Sequence, residues 1–237
     1  MRKGIVYVIF FIFASALFLS CGKETSEALI SFNPDDVENN GNTYNQGCLE
    51  CDLFTWCDNS QYIYVPNVMG TGQPQYTHKY KNVSRKRVGT FEFTGTVVKT
   101  GDTIFHNCQN NVTRILTKDG NDILKKVNGD GIEGETWTDT YSNGDTVVNY
   151  KITGIDLATT VFGKTFNSTV TVQEKKFFTD GSSNTADWIL VTQTDNVYAR
   201  DRISAARISG VGLIQQTVKN PAGNTIFQLF LKSYTLP

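Results

Sequence analysis

The residues best suited to chemistry are four cysteines spaced Cys48-x2-Cys51-x5-Cys57 and then Cys108, with His106 two positions before the last. Thiols in this number do one of three things: pair as disulfides, hold a metal as thiolates, or cycle between the two states. An even set in an exported chain favours disulfides, and four cysteines allow three connectivities that spacing does not rank. A bridge from the amino-terminal cluster to Cys108 would close a long loop, a gain of up to about 4 kcal/mol in the chain-entropy model. Zinc is the sharper alternative, because strand alternation puts His106 and Cys108 on one face. Structural zinc sites usually draw on two paired knuckles, however, and Cys108 has no cysteine at knuckle spacing. Cys48-Leu49-Glu50-Cys51 lacks the following helix that normally lowers a redox thiol's pKa. The expectation is therefore disulfides among Cys48, Cys51, Cys57 and Cys108, with no metal and no cofactor.

Other constellations are weaker. The chain has two histidines, His78 and His106, and nothing in the sequence brings either to a Ser or Cys nucleophile and an acid. A Gly-x-Ser-x-Gly elbow, a His-Glu-x-x-His helix and a phosphate-cradling glycine loop with Lys are all missing from it. Carboxylate pairs of the kind glycosidases use are available in any β protein with 23 acids. The reading is a non-enzyme. Asn128 to Glu135 alternates oxygen-bearing side chains as calcium loops do, but Ile132 stands where a third oxygen ligand is needed, so a Gly-rich turn is expected. The basic run Lys79, Lys81, Arg85, Lys86 and Arg87 reads as a solvated strand face that protects a sheet edge.

The elements that must carry these residues are strands. In Phe91–Val97 and Ser168–Gln173 apolar and polar residues alternate, which buries one face. Turn signals such as Asn143-Gly144 and Asp180-Gly181 separate a dozen or so such runs. The fold class expected is all-β, an antiparallel meander forming a half-barrel, barrel or sandwich. One stretch, Asp201–Ser209, has helical spacing of Ile203, Ala206 and Ile208. A net charge of -1 and 19% charged residues remove the broad positive field that nonspecific nucleic-acid binding needs, so no nucleic-acid partner is expected.

The amino terminus supplies an address. Arg2-Lys3 precedes an unbroken apolar run from Ile5 to Phe13, then small residues, then Cys21-Gly22. At roughly 15 residues the apolar stretch is short of the about 20 that span a bilayer, so it reads as an export signal. Leu19-Ser20-Cys21 resembles a bacterial lipobox, with Phe18 where Leu is usual. That resemblance implies cleavage after residue 20, lipidation of Cys21 with palmitate among its acyl chains, and a membrane partner through the anchor. The domains expected are a signal at 1–20, a lipid-anchored flexible tether at 21–47 and one β-rich domain at 48–237. Lys23-Glu24 resembles in part a tag for surface export in Bacteroidetes, which leaves the periplasmic and cell-surface faces of the outer membrane both open.

Cys48-x-x-Cys51, Trp56-Cys57-Asp58-Asn59-Ser60, Phe105-His106-Asn107-Cys108 and Gly210-Val211-Gly212-Leu213-Ile214 resemble motifs of uncharacterised Bacteroidetes lipoproteins. The closing Gly-Val-Gly-Leu run is similar to that of half-barrel envelope proteins, including lipoprotein carriers. The resemblance implies a noncatalytic binding protein that holds an apolar small molecule or lipid on a curved sheet. A structural or interaction lipoprotein that meets glycans or proteins is the second reading, with protein partners unknown, and a carbohydrate-active enzyme ranks last. Trp188–Val191, apolar on both faces, suggests a covered sheet.

Overall fold

The computed structural model describes residues 51–68, 71–72, 75–97, 103–117, 120, 122–204 and 207–236, with the backbone of short pairings at 30–31, 44–45 and 48–50. The signal, Cys21 and most of the expected tether lie outside the described residues. Among the described residues, twenty strands follow in chain order: β1 (Ile30–Ser31), β2 (Tyr44–Asn45), β3 (Cys48–Glu50), β4 (Thr55–Cys57), β5 (Gln61–Val68), β6 (Thr71–Gly72), β7 (Tyr76–Lys79), β8 (Lys81–Val88), β9 (Phe91–Val97) and β10 (Thr103–Gln109). The second half contains β11 (Val112–Leu116), β12 (Ile123–Asn128), β13 (Thr136–Thr140), β14 (Thr146–Ile155), β15 (Thr159–Val161), β16 (Lys164–Phe166), β17 (Ser168–Phe178), β18 (Ile189–Ser204), β19 (Arg207–Lys219) and β20 (Thr225–Thr235).

Alternation explains the long strands. Val148, Tyr150 and Ile152 of β14 and Val170 and Val172 of β17 are buried on one face, and the register sets Ile152 opposite Val172. The larger sheet runs β13-β14-β17-β18-β19-β20-β5-β6, with β7 also on β5; the smaller runs β1-β8-β9-β10-β11-β12. All of their pairings are antiparallel. The all-β, antiparallel expectation holds, and the described strands form open sheets rather than a closed barrel. Register shifts interrupt β14 near Gly154 and β18 at three places along its pairing with β19. Such bulges add twist and bend the sheet.

The chain passes from one sheet to the other at Tyr80, between β7 and β8, where Tyr80 N–H donates to Ser60 O and Tyr80 O accepts from Asn59. At the far edge β12 meets β13 through side chains: Trp137 Nε1 donates to Lys125 O at 2.8 Å and Lys125 N to Asp139 at 2.9 Å. Core residues lie between the sheets, with Val127 of β12 clustered against Val148, Tyr150, Ile152 and Tyr198 of the larger one.

Three details differ from the sequence reading. Asp201–Ser204 and Arg207–Ser209 are the paired ends of β18 and β19, Arg202 opposite Ile208, so the helical expectation is corrected. Three spaced apolar residues are less than two helical turns' worth of signal, whereas this pairing extends ladders already running on both sides. The basic run is split between β7, which holds Lys79, and β8, and β8 is not a free edge, because β1 pairs with it at Ser84 and Arg85. Ile189 is 63% exposed, so the apolar run at Trp188–Val191 is not covered on both faces.

Candidate functional site: an internal segment and a ring-lined pocket

Residues Cys51–Ser60 lie between the sheets rather than along an edge. Leu53, Thr55, Trp56, Cys57 and Ser60 are all buried. Small residues on β19 make this possible. A Cβ on Gly210 would stand 2.1 Å from the Phe54 nitrogen and 2.2 Å from the Leu53 carbonyl carbon. Gly212, at φ +85°, donates its N–H to Leu53 O at 2.7 Å. The Gly-Val-Gly run is thus a seat for another backbone.

Several bonds hold the segment there. Cys51 is disulfide-bonded to Cys108 of β10, 57 residues away, and Thr113 Oγ1 donates to Cys51 Sγ at 3.3 Å. Asp52 receives a two-pronged ion pair from Arg200, which also donates to Ser168 Oγ and Gly129 O, each at 3.0 Å. Thr55 and Ser209 share a hydroxyl bond of 2.6 Å. Phe54 stacks on Trp56 at 4.9 Å, and Trp56 on His106 at 3.9 Å.

The sequence-predicted residues sort as follows. Cys51 and Cys108 come together as a disulfide, which leaves neither as a zinc thiolate. Cys57 is also disulfide-bonded, and backbone register sets it opposite Cys48. His106 is in the core, with its pKa brought down to about 3 by burial. The Asn128–Glu135 loop engages its own oxygens: Glu135 accepts from Lys125 at 3.0 Å and from Asn128, and Asp130 accepts from Asn111 at 2.8 Å. Sequence reasoning missed Asp52 and Arg200, 148 positions apart. It quoted the glycine pair as a family motif, but two glycines at i and i+2 in a strand also signal a close backbone approach.

Beside the segment lies a half-open pocket of about 180 Å³, lined by the rings of Phe54, Trp56, Tyr62, Tyr64, His78 and Tyr80 together with Val211, Leu213 and Leu229. Its polar groups are neutral. Burial first, then neighbouring phenols, push the Tyr62 and Tyr64 pKa values well above the usual range, and burial also raises that of Tyr80. Burial lowers the His78 pKa, which keeps the imidazole neutral at pH 7. The Tyr62 hydroxyl donates to Thr55 O at 2.9 Å and that of Tyr64 to Leu213 O at 3.1 Å. The wall can stack on a flat, neutral group, and the phenol oxygens keep lone pairs for a donor.

No family model matches the chain, and no curated protein matches it. Two solved structures superpose on 76% of this chain and 96% of their own. One is a provisionally named exported protein with a YmcC-like fold from Bacteroides fragilis, at 8% identity and a TM-score of 0.45. The other is a provisionally named lipoprotein from Parabacteroides distasonis, at 10% identity and a TM-score of 0.45.

Proposed function

We propose that the chain is a noncatalytic lipoprotein of a bacterial outer membrane, anchored through Cys21, whose β domain binds one small neutral ligand bearing a ring. The observation that carries this reading is the half-open pocket of about 180 Å³ lined by aromatic side chains. A dry cavity of about 150 Å³ suffices for benzene, whereas pockets for drug-sized ligands run roughly 300–1,000 Å³. The buried Cys51–Ser60 segment takes up space between the sheets, which supports a small apolar molecule over a lipid as the ligand.

Saturation-transfer NMR with benzyl alcohol tests it. The ring should receive magnetisation from the protein, and Leu229→Trp, which fills part of the pocket, should weaken binding at least tenfold with the far-UV circular dichroism unchanged. Equal transfer in the wild type and the filled variant would exclude the pocket. The interaction-lipoprotein reading draws on Phe178 and Ile189, which pair across β17 and β18 and are 42% and 63% exposed.

A further inference from the structure

Most polar side chains of the ring-lined pocket already have partners within the protein. Thr55 shares a hydroxyl bond with Ser209 at 2.6 Å, Tyr62 donates to Thr55 O at 2.9 Å and Tyr64 donates to Leu213 O at 3.1 Å. His78 and Tyr80 differ. Both line the pocket, and among the described residues no hydrogen bond engages the His78 imidazole or the Tyr80 hydroxyl. Their places are nevertheless fixed. Register sets His78 opposite Tyr62 on β5, and the Tyr80 backbone bonds to Asn59 and Ser60. Ring contacts complete the positioning, His78 on Tyr64 at 5.4 Å and Tyr80 on Tyr62 at 4.9 Å between centroids.

Two half-buried groups, two positions apart in the chain, thus bring hydrogen-bonding capacity to one pocket. Among the described residues its lining holds no carboxylate, ammonium or guanidinium, so a charged ligand would lose its hydration without gaining a counter-ion. A neutral imidazole offers one donor and one acceptor nitrogen, and a phenolic side chain one donor and two lone pairs. Beside rings that stack on a flat group, their complement is a ring whose substituent donates and accepts through a single atom, which is a hydroxyl. Imidazole nitrogen is a good base and takes its strongest hydrogen bond from the more acidic donor, which favours a hydroxyl set directly on the ring. On the basis that this pocket is the binding site of the proposed function, we propose that its ligand is a phenol, whose hydroxyl donates to the unprotonated ring nitrogen of His78 and accepts from the Tyr80 hydroxyl.

Two probes of one shape test this in the full mature chain, followed by backbone amide shifts: p-cresol, and p-xylene, in which a methyl group replaces the hydroxyl. Leaving water favours p-xylene, so a pocket that only stacks and fills would bind it at least as well. With the two bonds made, p-cresol should bind about tenfold more tightly, its shifts centred on His78 and Tyr80. His78→Phe, which keeps a ring against Tyr64, and Tyr80→Phe should each erase that preference while p-xylene binds as in the wild type. Equal or tighter binding of p-xylene in the wild type, or a preference for p-cresol kept in either variant, would overturn the phenol and leave the ring pocket standing. Saturable shifts from neither probe would overturn the pocket reading together with it.

Discussion

His106 is buried without its charge, stacked on Trp56, and that arrangement makes stability depend on pH. Above about pH 6.5 the imidazole is neutral in both the folded and the unfolded chain, and protonation affects neither. Below it the unfolded chain takes the proton first, because the folded-state pKa is about 3. Stability present above the unfolded pKa is therefore lost as pH falls, at about 1.4 kcal/mol per pH unit, or about 2.7 kcal/mol by pH 4.5. Urea denaturation at pH 7.5, 6, 5 and 4.5 should show this slope in the wild type and its loss in His106→Phe; parallel curves would refute it. At this scale the sequence was only partly legible. It put His106 and Cys108 on one face, and both are buried, but the partner of His106 comes from Trp56, 50 positions back. The Asp52–Arg200 pair spans more than half of the chain, and no local pattern encodes such a distance.

Strands were the most legible level, because alternation is local; β14 carries it through Val148, Tyr150 and Ile152, and β17 through Val170 and Val172. At Lys81–Val88 the basic residues read as a strand face, but the neighbour that β8 finds in β1 was not legible, and the ends of β18 and β19 at Asp201–Ser204 and Arg207–Ser209 were misread for want of length. Seating the Cys51–Ser60 segment depends on two features of neighbouring elements, and each gives a prediction. Gly210→Ala drives a methyl into the Leu53–Phe54 backbone, which cannot rotate away as a side chain could. It should cost about 3 kcal/mol, the upper end for overpacking, in the denaturant midpoint. A cost under about 0.5 kcal/mol, an ordinary surface effect, would mean the segment sits elsewhere. Cys108→Ser opens a loop of 57 residues and should lose about 4 kcal/mol by the chain-entropy estimate. Thermal melts of the variant and wild type, both kept oxidised, read this directly, and coincident melts would contradict it.

For the molecule as a whole, the all-β antiparallel class was readable from composition and period, but the capacity of the interior was not. That capacity depends on whether a segment of the chain itself enters between the sheets, which here follows from two glycines, a disulfide and an ion pair acting together. In the function proposed here, the filled interior is what favours a small ring over a lipid as the ligand. Native mass spectrometry of the mature chain, exported without the lipid-bearing cysteine and mixed with benzyl alcohol and a long-chain fatty acid, tests this most directly. The account predicts a one-to-one complex with the ring compound, absent in Leu229→Trp, and none with the fatty acid. A fatty acid or phospholipid retained one to one would contradict it and restore the carrier reading.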